Sequence, residues 1–177
     1  DRLVGLTVEA RREADEAYSA FWGAFNRFEL AYIWSTARDL LVRRALMLDH
    51  DVLVYPLALS DEQKLRFLNS LIGKTIAVSE KPRFYNTLVS NCTNELAKAA
   101  NLDWHYAFVM TGFSAERLFE LGLIPGEDME TERSKAQFKI KVAGMAHMSA
   151  REFDRDLLDE LRSRFGNEPV SPQPAAK

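Results

Sequence analysis

The sequence predicts an α+β fold, with strands first and helices filling the second half. Two observations near the start and one further on carry this. Residues 4–10 and 28–34 alternate apolar and polar side chains, the period of a half-buried strand. From residue 36 onward apolar residues recur mostly at helical spacing, and several of those runs open on a Ser or Asn of the kind that caps a helix. Strands that come before a block of helices, with no regular βαβ alternation, fit α+β better than α/β.

The elements follow in chain order. Val4, Leu6, Val8 and Ala10 share one side of the first strand, and Thr7, Glu9 and Arg11 the other. A charged segment at 11–16 and a loop at 18–23 lead to the second strand, 27–35, with Phe28, Leu30, Tyr32 and Trp34 on one face. Residues 36–48 change to helical spacing through Leu40, Leu41, Arg44, Ala45 and Leu48. A third strand is expected at 52–59, with Pro56 marking an edge or a bulge. Ser60 and Gln63 form a capping box. The helix they start turns Leu65, Leu68, Leu71 and Ile72 inward and ends at Gly73, and residues 74–81 connect onward. A short helix begins near Cys92, and a polar-aromatic loop follows at 101–106. Another short helix, 115–121, stops at Gly122. Residues 130–148 have helix-forming composition, and the Ser149–Glu152 capping box opens an amphipathic helix to Phe165. Its inward residues are Phe153, Leu157, Leu158 and Leu161, and Gly166 stops it.

With 177 residues, the chain suits one domain with room for a core, expected over 1–166. The Pro- and Ala-rich tail, 167–177, has the composition of disorder. A net charge of −3, without a basic run interleaved with aromatics, argues against a nucleic-acid surface. One cysteine excludes an intrachain disulfide and a cysteine cage for zinc. No apolar run reaches the roughly 20 residues of a membrane span. The chain starts without Met and already in strand, so it reads as a fragment or processed form.

The stretch P-R-F-Y-N-T-L-V-S-N-C-T-N-E-L, residues 82–96, holds that single cysteine, Cys92. Ser90 and Asn91 are good N-caps, which puts Cys92 in the first helical turn. Free N–H groups and roughly half a positive charge sit at a helix start, and a thiol there ionises more readily. The competing reading is a small buried hydrophobe. A thiol enzyme also needs a base. The histidines are His50 in a turn, His105 beside Trp104 in the loop after the Cys92 helix, and His147 at a helix end. The spacing of the sequence marks out no metal site and no cofactor motif.

Four blocks then carry a resemblance. They are T-V-E-A-R-R-E at 7–13, F-E-L-A-Y-I-W at 28–34 with R-D-L at 38–40, F-Y-N-T-L-V-S-N-C-T at 84–93, and D-W at 103–104 with L-F-E-L-G-L-I at 118–124. In this order they resemble the N-terminal periplasmic domain of Lnb-type bacterial envelope proteins. The resemblance implies a papain-like, NlpC/P60-related fold of the thiol-hydrolase type, its antiparallel strands packed on helices. This chain would lack the first catalytic strand and its histidine, which the family carries ahead of the E-A-R block. His105 stands where the family has Arg.

The resemblance also implies an activity: thiol-dependent acyl transfer or hydrolysis at the bacterial cell envelope, on a lipoprotein, lipid or envelope peptide. Cys92 matches the nucleophile, Asn91 and Tyr85 match its motif neighbours, and Glu9 is the candidate to orient the histidine. Trp34 and Trp104 are candidates to line a substrate groove. Membrane association would come through segments of the parent protein outside this sequence. The alternative is a non-catalytic papain-like binding or structural module of an envelope protein, for which the same scaffold suffices.

Overall fold

The structure is a computed structural model, and it describes residues 2–11 and 28–166. The predicted charged segment beyond Arg11, the loop at 18–23 and the tail at 167–177 lie outside the described residues. Among those described, the fold is α+β: a two-stranded antiparallel sheet and seven α-helices. Strand β1 is Val4–Arg11 and β2 is Glu29–Thr36. The helices are α1 (Ala37–Val42), which runs on into a π-helical turn at Arg43–Met47, α2 (Asp61–Glu80), α3 (Cys92–Ala99), α4 (Ser114–Glu120), α5 (Met129–Lys135), α6 (Lys139–Gly144) and α7 (Ala150–Phe165).

The chain forms two compact units. Among the described residues, one comprises 2–6, 34–59 and 118–166; the other comprises 7–11, 28–33 and 60–117.

The first unit is built on Phe138, Val142, Met145, Phe153 and Leu157, joined by Ala45 and Val52. Helix α7 starts at the predicted capping box, where the Ser149 hydroxyl accepts the Glu152 N–H and the Glu152 carboxylate accepts the Ser149 N–H. Arg38 of α1 ties down the chain ahead of it: its guanidinium donates to the carbonyls of Met148 (2.7 Å) and Ala146 (2.6 Å).

Two expectations in this unit are corrected. Residues 52–59 do not form a strand. Their pairing is a single bridge, Leu53 to Gln137, flanked by Val54 N–H to the Ala136 carbonyl and Phe138 N–H to the Val52 carbonyl, both 2.9 Å. Pro56 has no N–H to carry a ladder further. Residues 130–148 are likewise not one helix. The Phe138 N–H that a continuous helix would use is spent on Val52, so the run breaks at 136–138 between α5 and α6.

The second unit centres on Val8, Phe28, Leu30 and Tyr85, with Ala10, Tyr32, Val78, Cys92 and Leu96 packed around them. The alternation of both strands thus holds where it meets this core. Residues 83–85 lie along the edge of β2 through Leu30 N–H to the Arg83 carbonyl and Tyr85 N–H to the Phe28 carbonyl, each 2.7 Å.

Helix α2 departs from expectation twice. Its capping box is present, but it runs through Gly73 to Glu80 rather than stopping there. Its inward face is also different. Leu71 is buried and Val78 packs on the core, whereas Leu65, Leu68, Ile72 and Ile76 are exposed. The helix is turned so that Lys74 faces the buried Glu95, and that ion pair, absent from any hydrophobic count, fixes its rotation.

Candidate thiol site

Cys92 is the first residue of α3 and is half-buried. Asn91 caps the helix, and it is itself 2% exposed. Its side-chain oxygen accepts the Asn94 N–H at 2.7 Å, and its amide donates to the carbonyls of Thr87 (2.8 Å) and Phe108 (2.9 Å). Every polar atom of that side chain is therefore used, and the turn carrying Cys92 is held from three directions. The Glu95 N–H goes to the Asn91 carbonyl at 3.0 Å. Among the described residues, the N–H groups of Cys92 and Thr93 have no acceptor. Those two donors sit in the sulfur's own turn, where an anion would meet them.

Three residues further along the same helix lies Glu95, fully buried. Its carboxylate accepts from Ser90 Oγ (2.7 Å), Tyr32 OH (2.8 Å) and Lys98 Nζ (3.0 Å), and pairs with Arg83 (3.0 Å) and Lys74 Nζ (3.2 Å). Burial opposes its charge. The hydrogen bonds from Ser90, Tyr32 and Lys98, with the Lys74 charge, prevail and bring its pKa down to about 2. The Tyr32 hydroxyl is pushed up, first by burial and then by its bond to the Glu95 carboxylate.

The sequence-predicted residues are distributed unevenly. Cys92, Asn91 and Tyr85 come together in the second unit, with Tyr85 6% exposed in the core that Cys92 joins. Glu9 is in the same unit and accepts from Thr7 Oγ1 at 3.4 Å. Strand alternation sends its side chain to the face opposite Val8 and Ala10, the two β1 residues packed with Cys92. Trp104 stands in the loop after α3, 64% exposed, while Trp34 belongs to the first unit. His50 and His147 also belong to the first unit. His105 caps the 3₁₀ turn Tyr106–Phe108, its Nδ1 accepting the Ala107 N–H at 3.2 Å.

Sequence reading missed Glu95 and its partners. A signal was there: on a helical wheel Glu95 shares its side of α3 with Cys92, Leu96 and Ala99, and a carboxylate on an inward stripe calls for paired cations. No group of His, Cys, Asp or Glu among the described residues is arranged to hold a metal ion.

The model of the Lnb N-terminal periplasmic domain family matches residues 1–112, which takes in both strands, α2, α3 and the Cys92 motif. The chain belongs to this family. As an Lnb N-terminal domain it is periplasmic and part of an Lnb-type envelope protein. No helix among the described residues is long and apolar enough to cross a membrane. No curated protein and no solved structure gives a significant match. The L-F-E-L-G-L-I block at 118–124 lies beyond the matched part of the Lnb domain.

Proposed function

We propose that this Lnb-type domain is a papain-like thiol acyltransferase or hydrolase acting on lipoprotein or other acylated envelope substrates, with Cys92 as nucleophile. The observation that carries the reading is the placement of Cys92 at the first position of a rigidly capped helix, with two unengaged N–H donors in the same turn. Sγ, as thiolate, attacks the acyl carbonyl. The developing oxyanion takes the N–H groups of Cys92 and Thr93, which lose nothing to reorganisation because Asn91 already fixes the turn. The carbon–oxygen bond of the donor ester breaks, and the leaving alkoxide takes the proton that the thiol gave up. The thioester then passes its acyl group to an amine or to water. Proton transfer falls to a histidine, which the family resemblance places ahead of the Glu9 block. Trp104, exposed in the loop after α3 of the same unit, is the proposed groove residue, and Glu9, on the face of β1 away from the Cys92 core, takes no part in this reading.

A non-catalytic binding module is the second reading, favoured by the packing of Cys92 against the Tyr85 core. An activated p-nitrophenyl acyl ester separates the two, because its leaving group needs no protonation. Intact-mass analysis of the chain is expected to show one acyl group on Cys92. It should form about tenfold or more faster than on a free thiol near neutral pH, with none in C92S. Acylation at the free-thiol rate, or equal labelling of C92S, leaves the binding module.

A further inference from the structure

Helix α2 carries an exposed apolar stripe. Leu65, Leu68, Ile72 and Ile76 are each more than 40% exposed. Their 3-4-4 spacing corresponds to about 3.67 residues per turn, so the stripe runs nearly straight along one side of the helix. Single exposed apolar residues mean little, but four in register on one helix form a face that calls for a partner.

The flank of that stripe says which partner. Arg66, Gly73, Ala77 and Glu80 lie along one side of it at helical spacing. Gly73 is midway between Arg66 and Glu80, seven residues or about two turns from each. A Cβ on Gly73 would meet nothing within 4 Å, so a second helix has room to approach closely there. Glu80 sits in the last turn of α2, where no basic residue accompanies it and the helix dipole disfavours a negative charge. Among the described residues it makes no ion pair. In an antiparallel pairing of two α2 helices about a two-fold axis at Gly73, the same flank of each copy meets itself. Arg66, which pairs with Glu62 on its own helix, then falls level with Glu80 of the other copy and can bridge both carboxylates, twice by symmetry, and the Ile72 side chains meet beside the axis.

We infer that this stripe is a self-docking surface: two copies of the chain associate through antiparallel α2 helices with their two-fold axis near Gly73. A bilayer fits less well, because a membrane-lying helix lines its flanks with Lys and Arg, whereas this flank carries Arg66 and Glu80 separated by small residues. The contact runs about 24 Å along each helix and buries less than the roughly 1,200–2,000 Å² of a standard interface. The dimer is therefore weak and concentration-dependent. It does not depend on the chemistry of Cys92.

Sedimentation equilibrium of the full chain over about 1–300 μM tests it, with a dissociation constant expected on the order of tens of micromolar. I72E sets like charges face to face at the axis and is expected to weaken association at least about 100-fold. The Ile72 side chain is exposed, so its far-ultraviolet dichroism should match the parent chain. E80K should weaken the dimer several-fold and R66E/E80K should restore it, which a general loss of folding would not do. A chain that stays monomeric throughout, a dimer unchanged by I72E, or a swap that fails to restore E80K overturns the proposal. So does a monomer that sediments with phosphatidylglycerol vesicles and loses this in I72E, which assigns the stripe to a membrane instead.

Discussion

Glu95→Gln is the substitution with the largest calculable effect. In the parent chain one buried carboxylate serves two hydroxyl donors and three cations. The amide keeps the shape, removes the charge, and turns an NH₂ group toward donors. Two routes give its size. Removing one partner of a buried ion pair costs about 3–5 kcal/mol, and the low end applies because Arg83 and Lys98 are nearly half exposed and can rehydrate. Independently, the Glu95 pKa falls from the ordinary 4.5 to about 2, and at about 1.4 kcal/mol per unit that is again about 3 kcal/mol. The sign follows from the direction. A depressed carboxylate pKa contributes stability that is complete above about 4.5 and disappears as pH falls toward 2. Urea unfolding, followed by circular dichroism between about pH 7 and pH 2.5, should show E95Q about 3 kcal/mol less stable at neutrality. Most of that gap should close at the acid end. A loss under about 1 kcal/mol near pH 7, or a gap that does not change with pH, would refute the reasoning.

Two further outcomes follow from the same structure. The raised pKa of Tyr32 contributes stability that is complete below the ordinary value of 10 and is lost as pH rises above it. Alkaline unfolding should therefore steepen above about pH 10 in the parent chain, and Y32F should remove that limb while costing about 1.5–3 kcal/mol near neutrality. Gly126 has φ +148°, and a Cβ there would collide with the buried side chain of Glu132; G126A should cost about 2 kcal/mol or more, read as a lowered thermal midpoint.

How much of this was legible in the sequence depends on what held each element. Alternation found both strands, and the capping boxes at Ser60 and Ser149 found the starts of α2 and α7, because those signals are local and covalently adjacent. The Asn91 cap of the Cys92 helix was readable for the same reason. Residues 52–59 have the composition of a strand but do not form one, because a ladder needs a partner along its length, and residues 136–138 supply one for a single bridge. Hydrophobic counting puts the inward face of α2 on Leu65, Leu68, Leu71 and Ile72, of which Leu71 alone is buried. The helix is instead oriented by Lys74 reaching Glu95, an electrostatic contact 21 residues away in sequence that no periodicity reveals. The helical wheel puts Glu95 on the inward side of α3, but four of its five partners lie outside that helix, and no local pattern names them.

The placement of that network explains why a costly buried charge is tolerable in this unit. Its partners come from four places in the sequence: Tyr32 from β2, Lys74 from α2, Arg83 and Ser90 from the segment leading into α3, and Lys98 from α3 itself. A hydrophobic residue at 95 would pack, but it would not specify the rotation of α3 against each of them. Asn91 fixes the start of the same helix through three bonds, and Glu95 fixes it one turn later. Between the two, the backbone of Cys92 and Thr93 has little freedom left, while their N–H groups stay unengaged. Rigid backbone with unspent donors is what stabilisation of a developing negative charge requires. The packing demand on Cys92 alone does not require it. Weakening the Glu95 network should therefore slow acylation of Cys92 even in a variant mild enough to stay folded, such as Y32F, whereas a purely structural cysteine would show no such coupling.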